Sequence, residues 1–313
     1  MRFSVVIPLF NKAPYVRKAL ESVFSQTFRD FELIVVDDGS SDNSLHIAKT
    51  VLEGSVIDYL LIHQDNAGVS IARNNGVAAS HGDYICFLDA DDWWAPTFLE
   101  RMNWLIKVYP DAGIYGTNYY IVKRGEKRIG ALVDSTGYIN YFQSYRRSHM
   151  PLTSISVGVP RNVFNEQSGF NPALKLGEDF VLWVRIALKH KVAFLNEPLA
   201  FYYQDSNPKW RGTGHLTDPK HHMLWNLGEI EPMERSNQDY KRLIDELRTY
   251  SLMSYYLSDK YSADAKKELQ KVDWKQQPAK YRYLYRLPIP VLKSRRVILS
   301  LGSRIKQRLI KHL

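Results

Sequence analysis

The chain of 313 residues is 45% hydrophobic and 24% charged, which is typical of globular proteins and excludes disordered and fibrous classes. Its only cysteine, Cys86, cannot form an internal disulfide, so a disulfide scaffold and a cysteine-rich zinc site are excluded and a reducing compartment is expected. The formal net charge is +9, but residues 1–273 carry 31 basic and 33 acidic side chains, so the positive excess lies entirely in residues 274–313.

Four short apolar runs in the first 110 residues predict buried strands, namely residues 3–8, 32–37, 57–63 and 84–88. Apolar residues at helical spacing follow the first three runs, and Asn11 and then Ser41 or Asp42 are predicted to cap the first two of these helices. Because each run is apolar throughout, the strands are expected to be covered on both faces. The alternation predicts an α/β fold with a Rossmann-like, mostly parallel sheet between helices.

Beyond residue 110 the pattern is less regular. Further strands are predicted at residues 112–123, 127–133, 155–160 and 192–203. An amphipathic helix is predicted to begin at Gly177-Glu178-Asp179, and a loop is predicted over residues 204–217, which are poor in apolar side chains. The remainder is predicted to be helical, at residues 222–228, 238–257 and 263–272. This pattern divides the chain into residues 1–217 and a helical C-terminal extension of residues 218–313.

Two acidic clusters follow predicted strands, Asp37 and Asp38 after the second and Asp89, Asp91 and Asp92 after the fourth. In an open parallel sheet, ligands bind at the carboxyl ends of the strands. The first cluster also fits an ordinary turn before a helix, but three carboxylates within four residues repel one another unless a cation or a donor-rich ligand compensates. Hard oxygen ligands of this kind favour Mg²⁺ or Mn²⁺. A calcium EF-hand loop, a Walker phosphate loop and a GxGxxG fingerprint are all absent.

An ordered set of short motifs resembles the opening of the family 2 glycosyltransferases. The set comprises Val5–Asn11, Leu33–Asp42, Asn66–Gly68, Ala72–Gly76, Gly82–Ile85 and Phe87–Asp92, the last of which resembles the family's DxD element. Further along, Gly177-Glu178-Asp179 is similar to the family's ED motif, so the resemblance extends to about residue 205. It implies a GT-A fold, a nucleotide-sugar donor such as a UDP-sugar, Mn²⁺ or Mg²⁺ as cofactor, and inversion at the anomeric carbon.

The resemblance also implies a role for each matching residue. Asp179 matches the catalytic general base, and Asp91 matches the metal ligand. The residues that match the donor nucleotide site are Pro8, Phe10, Asp38, Arg73 and Asp89. Asp38 is expected to accept a hydrogen bond from the base, and Phe10, where the family usually has tyrosine, keeps a stacking face without the hydroxyl. The alternative for Asp179 is that it caps its helix.

The Gln-x-x-Arg-Trp signature of processive synthases is absent, so we expect transfer of a single sugar to a glycan or lipid-linked acceptor. Within the GT-A catalytic domain of residues 1–217, the nucleotide-sugar half is expected at about 1–110 and the acceptor half at about 111–217. The loop residues Lys209, Trp210, Arg211 and His215 either close over the diphosphate and acceptor or are simply solvated.

Two other functions remain open from the sequence. A sugar nucleotidyltransferase would require a glycine-rich basic loop after the first strand, where this chain has Leu9-Phe10-Asn11. A non-catalytic sugar-binding module would not need Asp91 and Asp179 together.

The end of the chain is strongly basic. Residues 274–313 contain 11 Lys or Arg and no Asp or Glu, and apolar side chains recur at every fourth position from Val297 to Leu313. This pattern predicts a helix that lies on an anionic membrane surface through residues 289–313; the alternative is a terminal helix docked on the body. No recognition motif supports nucleic-acid binding. No apolar run reaches the ~20 residues that cross a bilayer, and no signal peptide is recognised. We therefore expect a cytoplasmic protein, peripheral at the inner face of a bacterial membrane.

Overall fold

The computed structural model describes residues 2–148, 150–204 and 216–293. The chain forms two compact units, Met1–Gly214 and His215–Leu313, whereas the sequence predicts the division between residues 217 and 218. Most of the predicted loop at residues 204–217, with Lys209, Trp210, Arg211 and His215, lies outside the described residues, as does the predicted amphipathic stripe of residues 294–313.

The first unit contains strands and helices in alternation. In its described part the strands are β1 Phe3–Leu9, β2 Phe31–Asp38, β3 Tyr59–Gln64, β4 Tyr84–Phe87, β5 Trp93–Trp94, β6 Ala112–Lys123, β7 Glu126–Ile129, β8 Gly137–Ile139, β9 Val157–Pro160 and β10 Lys191–Tyr203. The α-helices are α1 Val16–Phe24, α2 Ser44–Glu53, α3 Val69–Ala78, α4 Phe98–Val108, α5 Tyr141–Ser148, α6 Arg161–Glu166 and α7 Glu178–Lys189. These elements confirm the predicted α/β fold class.

All the strands belong to one sheet, of order β3-β2-β1-β4-β9-β6-β10-β5, with β7 paired to β6 and β8 paired to β10. The neighbours β3, β2, β1 and β4 are parallel, β9 is antiparallel to both β4 and β6, and β10 is parallel to β6. The sheet is therefore mostly parallel, as predicted. The chain places β2 on one side of β1 and β4 on the other, and this reversal of strand order opens a crevice at the carboxyl ends of β1 and β4.

The helix α3 packs closely on the sheet and forms one side of this crevice. Every residue of β1 and β2 is buried, consistent with helices on both faces. A Cβ atom at Gly76 would lie 2.4 Å from Val6 Cγ1, so only glycine allows α3 to approach β1 this closely. Arg73, one turn earlier in α3, is consequently held deep against the strands.

The predicted cap at Asn11 is wrong. The helix α1 begins at Val16, and Asn11 lies before it with φ +51°. Its side-chain oxygen instead accepts the backbone N–H of Ser41 at 2.8 Å and of Asp42 at 3.2 Å. Asn11 therefore joins the end of β1 to the loop after β2, because the N–H groups of that loop have no strand to pair with and bond to a side-chain acceptor instead.

Two predicted strands are shorter than expected. The strand predicted at 127–133 ends at Ile129, and the one predicted at 155–160 starts at Val157 after a 3₁₀ turn, Ser154–Ser156. In that turn the side chain of Ser156 bonds to the backbone of Thr153, an alternative to ladder pairing that serine and threonine commonly offer.

The second unit is helical, as predicted, but its helices are shorter than the predicted ranges. Its α-helices in the described part are α8 Gln238–Ser251, α9 Met253–Tyr256, α10 Ser262–Leu269, α11 Ala279–Leu284 and α12 Ile289–Lys293. The helix predicted at 222–228 is replaced by 3₁₀ turns, and the one predicted at 238–257 is divided at Leu252. Within the described ranges, no helix has the length and apolar character that a bilayer span requires.

One buried cation organises the second unit. The side chain of Arg248, in α8, is 0% exposed, and its Nη1 donates to Glu234 at 2.8 Å. Carboxylates of Asp245 and Glu268 lie 3.6 and 3.4 Å from its guanidinium nitrogens. Because a buried charge is tolerated only beside opposite charges, this cluster holds α8, α10 and the segment before α8 together.

Candidate functional site

A buried guanidinium joins the two acidic motifs of the site. Arg73 is 3% exposed; its Nη2 donates to Asp89 at 2.7 Å and its Nη1 to Glu178 at 3.1 Å. Ser154 Oγ accepts from Nη2 and donates to the other oxygen of Asp89. Burial lowers the pKa of Arg73, but the charges of Asp89 and Glu178 raise it more, so the pKa lies above its ordinary value. The acidic cluster after β4 and the Glu178-Asp179 pair therefore meet at one permanent cation.

The position of Asp179 is set by a glycine before α7. Gly177 has φ +80° and ψ +27°, in the left-handed region that favours glycine, and the chain turns from it directly into the helix. Asp179 follows Glu178 in the first turn, and its Oδ1 accepts the N–H of Phe180 at 2.7 Å. The N-cap position belongs to Gly177, so Asp179 is not the N-cap residue, although it accepts one N–H of the first turn.

The surroundings of Asp179 favour its protonated form. Burial raises the pKa of the carboxyl, and the neighbouring charge of Glu178 raises it further, whereas Arg73 and the N–H of Phe180 lower it. The net effect raises the pKa of Asp179 to about 7. At neutral pH the group is thus divided between acid and carboxylate, which suits a side chain that takes up protons.

Asp91 pairs with a lysine that the sequence motifs do not single out. Its Oδ2 accepts from Lys12 Nζ at 2.5 Å, and the two side chains are 14% and 18% exposed. Lys12 follows β1, and its backbone N–H donates to Ser44 Oγ, at the start of α2, at 2.7 Å. The ends of β1 and β4 therefore bring a positive and a negative side chain together at the mouth of the crevice.

Asp92 makes different contacts from Asp89 and Asp91. It is 2% exposed, and its Oδ1 accepts the N–H of Tyr203, the last residue of β10, at 2.7 Å. Its Oδ2 is buried with no hydrogen-bond partner among the described residues. Burial, with the charges of Asp91 and Asp89, raises the pKa of Asp92 well above its ordinary value. Asp92 thus anchors β10 to the acidic cluster.

Asp38 is nearly saturated by donors from the protein itself. Its Oδ1 accepts from Gln64 Nε2 and from the N–H of Ala67, both at 2.8 Å, and its Oδ2 accepts from the N–H of Gly68 at 2.8 Å. A carboxylate offers about four acceptor positions, so Oδ2 keeps one. Asp38 therefore holds the loop before α3 and has one position left for an outside donor.

The two other predicted nucleotide residues lie at the end of β1. Pro8 is buried inside the strand, opposite Val36 of β2. Phe10 follows the strand and is partly exposed. Of the pair, Phe10 is the more exposed residue.

The acidic residues fit a cation that binds together with a phosphate ligand. Within the described ranges, no group of three or more His, Cys, Asp and Glu side chains is arranged to hold a metal ion. Arg73 and Ser154 contact the two oxygens of Asp89, so Asp91 is the carboxylate best placed to ligate. Mg²⁺ usually binds proteins through one or two carboxylates and takes other ligands from substrate phosphates and water.

The structure thus brings Arg73, Asp89 and Glu178 into direct contact and places Asp179 beside them. Lys12 and Ser154 are the contributors that sequence reasoning missed. Neither residue belongs to a recognisable motif or to a periodic pattern, because Lys12 is a single lysine after a strand and Ser154 lies in an irregular segment. Lys12 is 79 residues from Asp91 along the chain, and Ser154 is 65 residues from Asp89.

Two curated relatives share part of this sequence. The chain is 33% identical over 215 residues to Glycosyltransferase GlyA of Streptococcus pneumoniae, covering 64% of this chain and 30% of the relative. It is 44% identical over 101 residues to Uncharacterized glycosyltransferase YibD of Escherichia coli, covering 32% of this chain and 29% of the relative. The chain therefore spans less than a third of the length of either relative.

Solved structures share the fold. TarS of S. aureus, residues 1–349 in complex with UDP-GlcNAc, aligns with a TM-score of 0.61 at 19% identity, covering 86% of this chain and 70% of that one. The mannosyltransferase PcManGT of Pyrobaculum calidifontis, in complex with GDP-Man and Mn²⁺, aligns with a TM-score of 0.51 at 16% identity, covering 88% of both chains. At these identities the likeness establishes the fold, and it confirms the predicted GT-A class.

The sequence pattern of the family described as Glycosyl transferase family 2 matches residues 4–170. This span contains Asp38, Arg73, Asp89 and Asp91, and it ends before Asp179. Because it covers more than half of the chain, the predicted family is confirmed: the protein belongs to glycosyl transferase family 2.

Proposed function

We propose that this protein is a metal-dependent, inverting glycosyltransferase that moves one sugar from a UDP-sugar to a hydroxyl of a glycan or lipid-linked acceptor. The observation that carries the proposal is the Arg73 bridge. It ties Asp89 of the DxD motif to Glu178, and so holds Asp179, a carboxyl with a pKa of about 7, beside the donor motif. A proton acceptor beside a diphosphate site is what direct sugar transfer requires.

The donor nucleotide is assigned to the crevice between β1 and β4. The remaining acceptor position of Asp38 suits the N–H of a uracil base, and the partly exposed aromatic ring of Phe10 suits stacking on that base. Arg73 and Lys12 supply positive charge on the side of the diphosphate. The UDP-GlcNAc bound to TarS and the GDP-Man bound to PcManGT support a nucleoside diphosphate sugar as the ligand class.

Asp91 is the proposed ligand of Mn²⁺ or Mg²⁺, and the Mn²⁺ of PcManGT supports a divalent cation. When bound, such a cation offsets the negative charge that develops on the leaving diphosphate. Asp179 then removes the proton from the acceptor hydroxyl as that oxygen attacks the anomeric carbon from the face opposite the leaving group. Direct displacement of this kind inverts the anomeric centre and needs one catalytic carboxylate.

The rival functions explain less of the geometry. A nucleotidyltransferase would use a glycine-rich loop after β1, whereas here Asn11 and Lys12 are locked onto the loop after β2 and the start of α2. A binding module would have no use for a carboxyl whose pKa is near neutrality beside the donor motif.

The titration of Asp179 can be tested through stability alone. Its folded pKa of about 7 exceeds the ordinary value of 3.8, so the native state binds the proton more tightly than the unfolded chain does. Ionisation therefore destabilises the native state progressively as pH rises from about 4 to 7, and the penalty is constant above pH 7. Asp179→Asn should gain thermal stability over the parent as pH rises through this window. The exposed Asp65→Asn is the control; an Asp179→Asn difference that does not change with pH would contradict the raised pKa.

The metal assignment predicts opposite outcomes for neighbouring carboxylates. Asp91→Asn should weaken Mn²⁺-dependent UDP binding by at least about tenfold, since even supporting partners of metal ligands cause losses of that size. Asp92→Asn should retain it, because Asn keeps the acceptor for Tyr203 and the raised pKa of Asp92 disfavours the charged form that a metal ligand needs. Calorimetric titration with UDP, with Mn²⁺ and with EDTA, measures both. Equal losses in the two variants would remove Asp91 from the metal site.

Base catalysis predicts separate effects on binding and turnover. Asp179→Asn should bind donor almost normally and transfer sugar about 10²-fold more slowly or worse. Glu178→Gln removes the adjacent negative charge that raises the pKa of Asp179, so the acidic limb of the kcat/KM profile should move from about pH 7 to lower pH. Glu53→Gln, at the exposed end of α2, is the control. A product of retained anomeric configuration, or an unmoved limb, would refute this mechanism.

The basic tail is proposed to hold the enzyme on an anionic membrane, and this proposal rests on the charge pattern of residues 274–313. Each basic residue near such a surface contributes about 1 kcal/mol, and salt screens the attraction. Replacing the six Lys and Arg after Ser294 by Gln should release the full chain from vesicles of equimolar phosphatidylcholine and phosphatidylglycerol. Flotation at low and high salt decides it, with pure phosphatidylcholine as control; parent protein that ignores the anionic vesicles would overturn the proposal.

A further inference from the structure

The second unit contains a hollow of about 530 Å³ that the proposed reaction does not use. Its basic lining residues are Lys266 of α10, Arg282 of α11 and Arg286, and its aromatic lining residues are Tyr256, Trp274 and Tyr285. None of its lining residues is acidic. The volume falls within the range of about 300–1,000 Å³ typical of small-molecule sites.

The cations of this hollow are exposed at its rim, and they differ in their partners from the buried and half-buried cations of the unit. Arg248, Lys241 and Lys271 each pair with carboxylates. By contrast, none of Lys266, Arg282 and Arg286 forms an ion pair within the described part of the chain. The Nζ of Lys266 lies 5.9 Å from the ring centre of Tyr256. Three unpaired positive charges around one concavity create a local potential that attracts anions.

Ring contacts and one hydrogen bond hold the aromatic wall of the hollow together. The ring of Tyr285 lies 5.3 Å from that of Trp274 and 5.0 Å from that of Tyr256, and its hydroxyl donates to the carbonyl of Thr249 at 2.8 Å. The apolar side chain of Leu269, 6% exposed, lines the hollow beside them. A bare phosphate ion would leave this aromatic and apolar surface uncovered, so the hollow fits an anion that carries a ring.

We propose that this hollow binds a phosphorylated saccharide. The phosphate ester would accept hydrogen bonds from Arg282 and Arg286, whose planar guanidinium groups match phosphate oxygens, and the sugar ring would pack on Trp274 and Tyr285. That the ligand is the phosphate-bearing part of the acceptor rests on the proposed function; the binding itself does not. The same chemistry occurs in a free sugar phosphate and in a lipid headgroup, and the experiment separates these sources.

The test titrates the full chain with α-glucose 1-phosphate, glucose and inorganic phosphate in EDTA, followed by calorimetry. Glucose 1-phosphate should bind more tightly than either of the other two. Arg282→Gln and Arg286→Gln should each weaken it about tenfold, the scale of one lost charge-assisted hydrogen bond. Lys266→Gln should also weaken it, whereas Lys267→Gln should not, because Lys267 is equally exposed and next to it on α10 but does not line the hollow.

The proposal would be overturned if phosphate and glucose 1-phosphate bound with equal affinity, or if neither Arg282→Gln nor Arg286→Gln weakened the binding of glucose 1-phosphate. It would also be overturned if these two variants weakened only the binding to vesicles of equimolar phosphatidylcholine and phosphatidylglycerol. That third outcome would assign the hollow to a lipid headgroup. Asp91→Asn separates the two sites, because it should lose Mn²⁺-dependent UDP binding and keep glucose 1-phosphate binding. If no transfer is ever observed while binding still depends on Arg282, the proposed function fails and this site stands.

Discussion

The candidate site depends on one buried charge, the guanidinium of Arg73. A buried cation without partners is strongly destabilising, so Asp89 and Glu178 must stay beside it while the fold is intact. Asp89 follows β4 and Glu178 begins α7, so this requirement fixes the loop after β4 relative to the start of α7. Asp179 is the chain neighbour of Glu178, and both its position and its proton affinity therefore depend on Arg73.

The loops at the carboxyl ends of the strands are held by side chains that accept backbone N–H groups. Asn11 fixes the loop after β2, Asp38 fixes the loop before α3, and Asp92 fixes the end of β10. These loops lie at the carboxyl ends of the strands, where a backbone N–H no longer has a neighbouring strand to pair with. Each such N–H therefore needs a side-chain acceptor. The short polar residues that resemble the family's nucleotide motifs therefore also build the scaffold of the crevice.

The parallel strands and the helices between them could be predicted well from the sequence, because a buried parallel strand such as β2 contains an unbroken run of apolar residues. The sequence also identified Asp91 and Asp179 as candidates, since their motifs are contiguous. It could not predict that Lys12 pairs with Asp91, because that contact depends on how the ends of β1 and β4 are arranged in space. The misassigned cap at Asn11 has the same origin: its acceptor serves a distant loop, and sequence spacing suggests only the helix nearby.

The balance of charge at the site connects the proposed metal with the proposed base. When ionised, Asp89, Asp91, Glu178 and Asp179 outnumber Arg73 and Lys12, the cations that pair with this cluster in the described part of the chain, so these six side chains carry an excess of negative charge. A nucleoside diphosphate adds more, and that repulsion would raise the pKa of Asp179 further and keep it protonated. A divalent cation held by Asp91 would reverse this effect. The proposed cation would therefore act on both reacting groups, because it would offset the charge of the leaving diphosphate and lower the pKa of Asp179 so that this carboxylate can accept a proton.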